Sequence, residues 1–224
     1  MTTITSFDTL KIAIRQWYKD RSDVDAYSED FIALAEQWIE ERLRVREMVA
    51  TTSLTPTAGT ATLPTDYLSF YSVSLLISAN ERKPLDLTDI RTGELQYRDA
   101  TIAQESAKFT IVGTEIRTYP HATQNLELVY YQRLPKLGTS AQNNWLLTRQ
   151  PNLYLRAALK EAAQFFHKYD ESANFEALAD MMVSSIQAND EAASFQRAGM
   201  HLVPPTPSPE QGVARAAARE AVHQ

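Results

Sequence analysis

Apolar residues recur at helical spacing from the start of the chain. Phe7, Leu10, Ile14 and Trp17 share one face of a 3.6-residue period, behind Ser6 as a capping residue and with Asp8 in the first turn. This predicts a first helix ending near Lys19. After a polar stretch at residues 20–26, Ser28 reads as the cap of a longer helix whose wide apolar face is Phe31, Leu34, Ala35, Trp38, Ile39 and Leu43. Arg42, Arg44 and Arg46 gather at its far end, where cations suit the helix dipole.

From Thr51 the period changes. Thr-rich residues before Thr57-Ala58-Gly59 and the run Thr60 to Leu63 after it read as a hairpin closed by Pro64. The run Phe70 to Ile77 is apolar enough for an inner strand. Residues 87–97 read as a short helix capped by Thr88 that covers a sheet face, with Gly93 as an unfavourable helical residue inside it. Phe109, Ile111, Ile116 and Tyr119 flank a turn at Gly113, and residues 126–131 supply a further strand.

Helical spacing returns at Pro151, a favourable first-turn residue. Leu155, Ala158, Leu159, Ala162, Phe165 and Phe166 cover most of the cylinder, leaving Arg156, Lys160 and Gln164 as a narrow wet stripe. A last helix is predicted to start near Asp170, to carry Phe175, Leu178, Met182 and Ile186 on one face, and to stop at Gly199. Pro204, Pro205, Pro207 and Pro209 then form a stiff extended spacer. Beyond it, Ser208 and Pro209 open an Ala-rich helix of about 14 residues, too short and too weakly apolar to hold in water without a partner.

The pattern therefore predicts an α+β chain in which N- and C-terminal helices pack as a helical bundle with a β-rich insertion between them. An extended C-terminal arm follows. The boundaries are 1–50 for the first helices, 51–134 for the β-rich insertion, 135–199 for the last helices and 200–224 for the Pro-rich arm.

Composition narrows the function classes. The 224 residues, 44% of them hydrophobic, can bury one large core or two smaller ones. The absence of cysteine excludes disulfides and thiolate metal sites and fits a reducing compartment. Twenty-two Lys and Arg against 28 Asp and Glu give a net charge of -6, which repels polyphosphate. Met1 to Ser6 does not read as a signal peptide, and no window approaches the ~20 apolar residues that span a bilayer, so no membrane role is expected.

Candidate chemistry is sparse. The six glycines are too far apart for a dinucleotide or phosphate-binding loop. His121, His167, His201 and His223 lack the spacing of zinc ligands. Glu40 with Glu41 and Asp190 with Glu191 read as solvated helix faces, and Ser184 and Ser185 have no glycine elbow or neighbouring base. No catalytic, metal or cofactor-binding residue is predicted, and the chain is read as non-enzymatic.

Three groups of residues carry a family resemblance. Leu63-Pro64-Thr65-Asp66-Tyr67-Leu68 is one, and Leu34-Ala35-Glu36 with Arg42-Leu43-Arg44 another. The third joins Asn143-Asn144-Trp145-Leu146-Leu147, Pro151 to Leu155 and Ala157 to Ala163. With the same order of helix pair, β insertion and helix pair, over roughly residues 5 to 198, the chain resembles the adaptor proteins that bacteriophages place between the portal and the tail. The resemblance implies a homo-oligomeric ring, typically dodecameric, at the head–tail interface of the virion. Its subunits would be made in the host cytoplasm, extend the portal channel, let DNA pass without specific binding, and offer a platform to a downstream tail or nozzle protein.

Such proteins carry a C-terminal extension that docks on the portal, which gives the arm a destination. Chemistry alone selects its contact residues: Leu202, Val203, Pro204, Pro205, Val213, Arg215 and Arg219. The competing reading is a monomeric intracellular binding module whose tail docks on a host protein. Stoichiometry separates the two.

Overall fold

A computed structural model describes residues 3–19, 21–78, 81–97, 108–121 and 124–197. The chain divides into two units, Met1–Gln187 and Ala188–Gln224, and both hydrophobic cores belong to the first. Among the described residues the fold is mixed α+β, with six helical segments and two sheets.

Helix α1 (Phe7–Trp17) begins as its sequence predicts. Ser6 Oγ accepts from the Thr9 amide and Thr9 Oγ1 accepts from the Ser6 amide, a capping box with Thr in the usual Glu position. Phe7, Leu10 and Ile14 are buried, whereas Trp17 stays 37% exposed. Helix α2 (Ser22–Arg42) starts six residues before the predicted cap. Ser28 is instead fully buried inside the helix, its hydroxyl donating to the Asp25 carbonyl at 2.9 Å. Its small bonded side chain fills a core position between Val24 and Ile32, so the apolar stripe runs through what looked like a polar linker. Asp23 and Asp25 in the first turn suit the helix dipole there.

A 3-10 turn over Arg46–Met48 leads into eight strands: β1 (Val49–Leu54), β2 (Thr60–Thr62), β3 (Tyr67–Leu76), β4 (Arg82–Pro84), β5 (Asp86–Leu87), β6 (Lys108–Val112), β7 (Glu115–Tyr119) and β8 (Leu126–Gln132). They form sheets of order β1-β8-β3-β4 and β2-β7-β6-β5, antiparallel except for β5 with β6. The predicted inner strand is inner, as β3 lies between β8 and β4. The predicted hairpin around Thr57 is corrected. Thr57 and Thr60 exchange both backbone hydrogen bonds across Ala58 and Gly59, whose φ of 50° and 78° make the tight turn. The flanking strands then part, β1 pairing with β8 over six residues and β2 with β7. The apolar run of β8 offers β1 a longer register than β2 could.

The helix predicted over residues 87–97 is also shifted. Leu87 belongs to β5, and Asp89, not Thr88, caps the short α3 (Ile90–Thr92) by accepting from the Thr92 amide at 2.9 Å. A π turn over Gly93–Tyr97 follows. A Cβ at Gly93 would lie 2.4 Å from the Tyr119 ring, so the glycine that weakens the helix is what lets it close over β7. The β core is drawn from both sheets: Val73, Leu75, Leu126, Leu128 and Tyr130 from one, Ala61, Phe109 and Ile116 from the other. Along β8 the buried positions alternate with a period of two.

Asn144 caps α4 (Trp145–Arg149), accepting from the Leu147 amide, and Pro151 opens α5 (Pro151–Phe165). Buried residues fall nearly all round α5, and the run of alanines at 157, 158, 162 and 163 leaves room for neighbouring helices to approach closely. Lys160 corrects the predicted wet stripe, because it is only 7% exposed. In α6 (Tyr169–Arg197) the buried face is Ser172, Phe175, Ala179 and Val183, with Leu178 turned out at 43% exposure. Small Ala179, not Leu178, sits where the core is tight. The predicted stop at Gly199 lies outside the described residues. Helices from both ends of the chain contribute to one core, on which Leu68 and Tyr131 of the β strands also pack.

Candidate interaction surfaces

The residues selected for the arm, Leu202, Val203, Pro204, Pro205, Val213, Arg215 and Arg219, all lie outside the described residues, as do His201 and His223.

The densest charged cluster surrounds Trp38. Its ring accepts two cations, the Arg42 guanidinium at 4.4 Å and the Lys160 ammonium at 5.3 Å from the centroid, and its indole N–H donates to Glu176 at 3.3 Å. Lys160 pairs with Glu161 at 2.9 Å and lies 3.9 Å from Glu176, while Arg42 reaches Asp180 at 3.5 Å. The Ser172 hydroxyl donates to the Lys160 carbonyl. Each buried charge has a partner, so the desolvation of Lys160 is compensated, and the cluster pins α6 and α5 to α2. Periodicity missed it because Lys160 matches a solvent stripe by spacing alone.

A second cluster fastens the connector between β8 and α4. Glu36 accepts from the Leu137 amide at 2.8 Å, and Glu40 pairs with Arg133 at 3.2 Å. Asn144 donates to the Pro135 carbonyl at 2.9 Å and to the Tyr154 hydroxyl at 2.7 Å. Burial, reinforced by the Glu40 charge and opposed by the Leu137 N–H, pushes the Glu36 carboxyl up to about 7. Burial likewise raises the Tyr154 hydroxyl. Two carboxylates with one near neutrality are the raw material of acid–base chemistry. At 5% and 7% exposure, however, Glu36 and Glu40 offer a reactant no approach. The pair is a fastening.

Open surface lies elsewhere. A hollow of about 510 Å³ between α1 and α5 is lined by Ile4, Ala13, Trp17 and Leu155, among others. A second, of about 420 Å³, is lined by Leu178, Met181 and Met182 of α6. Both hollows share Asn152 and Arg156. The Arg156 guanidinium stacks 5.0 Å from the Trp17 ring centroid and 5.8 Å from that of Phe175, and among the described residues it has no anionic partner. A third hollow of about 530 Å³ lies in the β part beside Phe70, Leu87 and Ile111, with Leu87 57% exposed.

Among the described residues no group of three or more His, Cys, Asp or Glu is placed to hold a metal ion, and no helix is long and apolar enough to cross a membrane. A family model described as SU10 adaptor protein matches residues 5–201 of the chain. No curated protein matches it.

Proposed function

The chain belongs to the SU10 adaptor protein family of phage head-to-tail adaptors, and from that premise we propose that its copies close into a ring between portal and tail that extends the DNA channel. The observation that carries this reading is the extent of the match, which takes in the helices at both ends and all eight strands. On this reading the helices of segments 1–50 and 135–199 form the ring body as a bundle, and the β-rich insertion 51–134 meets the downstream tail protein. The exposed apolar residues Phe70, Leu87, Ile90 and Leu95 support that second role. The arm, through Leu202, Val203, Pro204, Pro205, Val213, Arg215 and Arg219, grips the portal.

The protein acts without catalysis, as a virion component. Its net charge of -6 supports a lumen that does not hold passing DNA, since few phosphates could be neutralised and few counterions released. Sedimentation of the purified chain with purified portal tests the reading. A multimeric, portal-bound assembly is expected, and truncation after Gly199 should abolish attachment while leaving the thermal midpoint unchanged. A persistent monomer that ignores the portal would overturn it.

A further inference from the structure

The two hollows that share Arg156 have a counterpart on the other side of the helices. On α2, Tyr27 is 44% and Leu34 48% exposed, and the exposed Asp30 lies between them. Spacings of three and four residues place all three on one strip of the helix, about 10 Å long at 1.5 Å per residue. Among the described residues Asp30 has no cationic partner. The strip therefore reads apolar, acid, apolar, and the groove reads apolar hollow, Arg156, apolar hollow.

We propose that the groove containing Arg156 receives the Tyr27–Asp30–Leu34 strip of the adjacent copy, and that this contact, repeated, builds the ring. The inference rests on the ring reading above. Charge complementarity selects the occupant. Covering Arg156 with a purely apolar partner would strip a charge of water and return nothing, so the occupant must bring an anion to that point. Asp30 is such an anion, already flanked by the two apolar groups that the hollows can take.

Position selects the symmetry. Tyr27 packs on Phe165 with ring centroids 4.9 Å apart, and Phe165 lies nine residues from Arg156 along α5. Nine residues are about two and a half helical turns, so Phe165 and Arg156 point to opposite sides of α5. Donor strip and receiving groove are thus different patches facing different ways. A contact of that type is heterologous: it cannot stop at a two-fold dimer, and it closes only by going round a ring. The Asp30–Arg156 pair sets the register.

The test uses full-length chains, Asp30→Arg, Arg156→Glu, and an equimolar mixture of the two, with ring formation on the portal counted in electron micrographs. Circular dichroism checks that each variant is folded. Each variant alone places like charges in every contact, and ring yield should fall about tenfold or more. In the mixture, copies that alternate round the ring meet in two ways. The introduced arginine of one variant faces the introduced glutamate of the other, and at the next contact the native Asp30 faces the native Arg156. Every contact is again attractive, and yield should return to within about twofold of wild type. The mixture also guards against a variant that fails merely by misfolding, since a misfolded copy would not be rescued. Undiminished rings from either variant, or a mixture that stays inactive, would overturn the proposal. Loss with Arg156→Glu alone would overturn it in favour of an acidic segment of the portal or tail as occupant. If wild-type chains form no ring, the ring reading falls and takes this contact with it.

Discussion

The helical part of this molecule buries charge, whereas the core of its β part is built without it. Glu36, Glu40 and Lys160 are less than 9% exposed and sit among partners contributed by α2, α5, α6 and the connector before α4. Among the described residues of the β part the buried polar side chains are Thr110 and Thr118, and the carboxylates that bond core tyrosines, Asp66 to Tyr130 and Glu94 to Tyr119, are themselves more exposed. The difference reflects how each part is specified. Strand alternation ties the register of each pairing to its buried face, and the turn at Gly113 fixes that of β6 with β7, so apolar packing suffices. Helices that slide on apolar faces, joined only after a long intervening β insertion, gain a unique alignment from paired charges, which is the role we assign to the Trp38 and Glu36 clusters.

The largest effect is expected inside the β part, and it tests whether the two parts unfold as one. Gly93→Ala forces a methyl group against the Tyr119 ring and should cost about 3 kcal/mol. All three tryptophans, Trp17, Trp38 and Trp145, lie in the helical part. Because Leu68 and Tyr131 pack on the helical core, the tryptophan fluorescence transition should move to lower urea together with the β signal. An unmoved tryptophan transition would mean that the parts unfold independently.

A middle-sized effect sharpens the contrast in charge. The Glu36 carboxyl rises in the folded chain from its ordinary 4.5 to about 7, so between those values the folded state holds a proton that the unfolded state has released. Its contribution is therefore greatest below pH 4.5, declines as pH rises towards 7, and is lost above. Glu36→Gln keeps an acceptor for the Leu137 amide and removes the titration. It should raise stability at pH 8 by about 2 kcal/mol relative to wild type and leave stability at about pH 4.5 nearly unchanged, as read from urea denaturation at both pH values. Equal shifts at both pH values would show that Glu36 is not the titrating group.

The smallest effect concerns local capping, which works alike in any helix. Ser6→Ala removes the hydroxyl that accepts from the Thr9 amide and should cost about 1 kcal/mol in thermal or urea denaturation.

Local signals of this kind were the legible ones. The Ser6 cap, the Pro151 start, the Gly113 turn and the strand at residues 126–131 could all be read from sequence because each depends on residues within a turn or two. What could not be read depended on distant partners. Ser28 looked like a cap because a buried, self-bonded serine leaves no periodic trace. β1 and β2 looked like a hairpin because their turn is genuine, and only the register offered by β8 separates them. Lys160 looked wet because Trp38 and Glu176 come from other helices. Arg156, grouped with it, does border open surface, but its stacking on Trp17 at the meeting of two hollows had no sequence signal.

The central claim is that copies of this chain assemble head to tail through their helices into a ring seated on the portal. End-on electron micrographs of full-length protein mixed with its portal test that most directly. The account predicts closed rings coaxial with the portal, with the helical parts in contact around the circumference. Single copies scattered on the portal, or rings joined only through the β part, would contradict it.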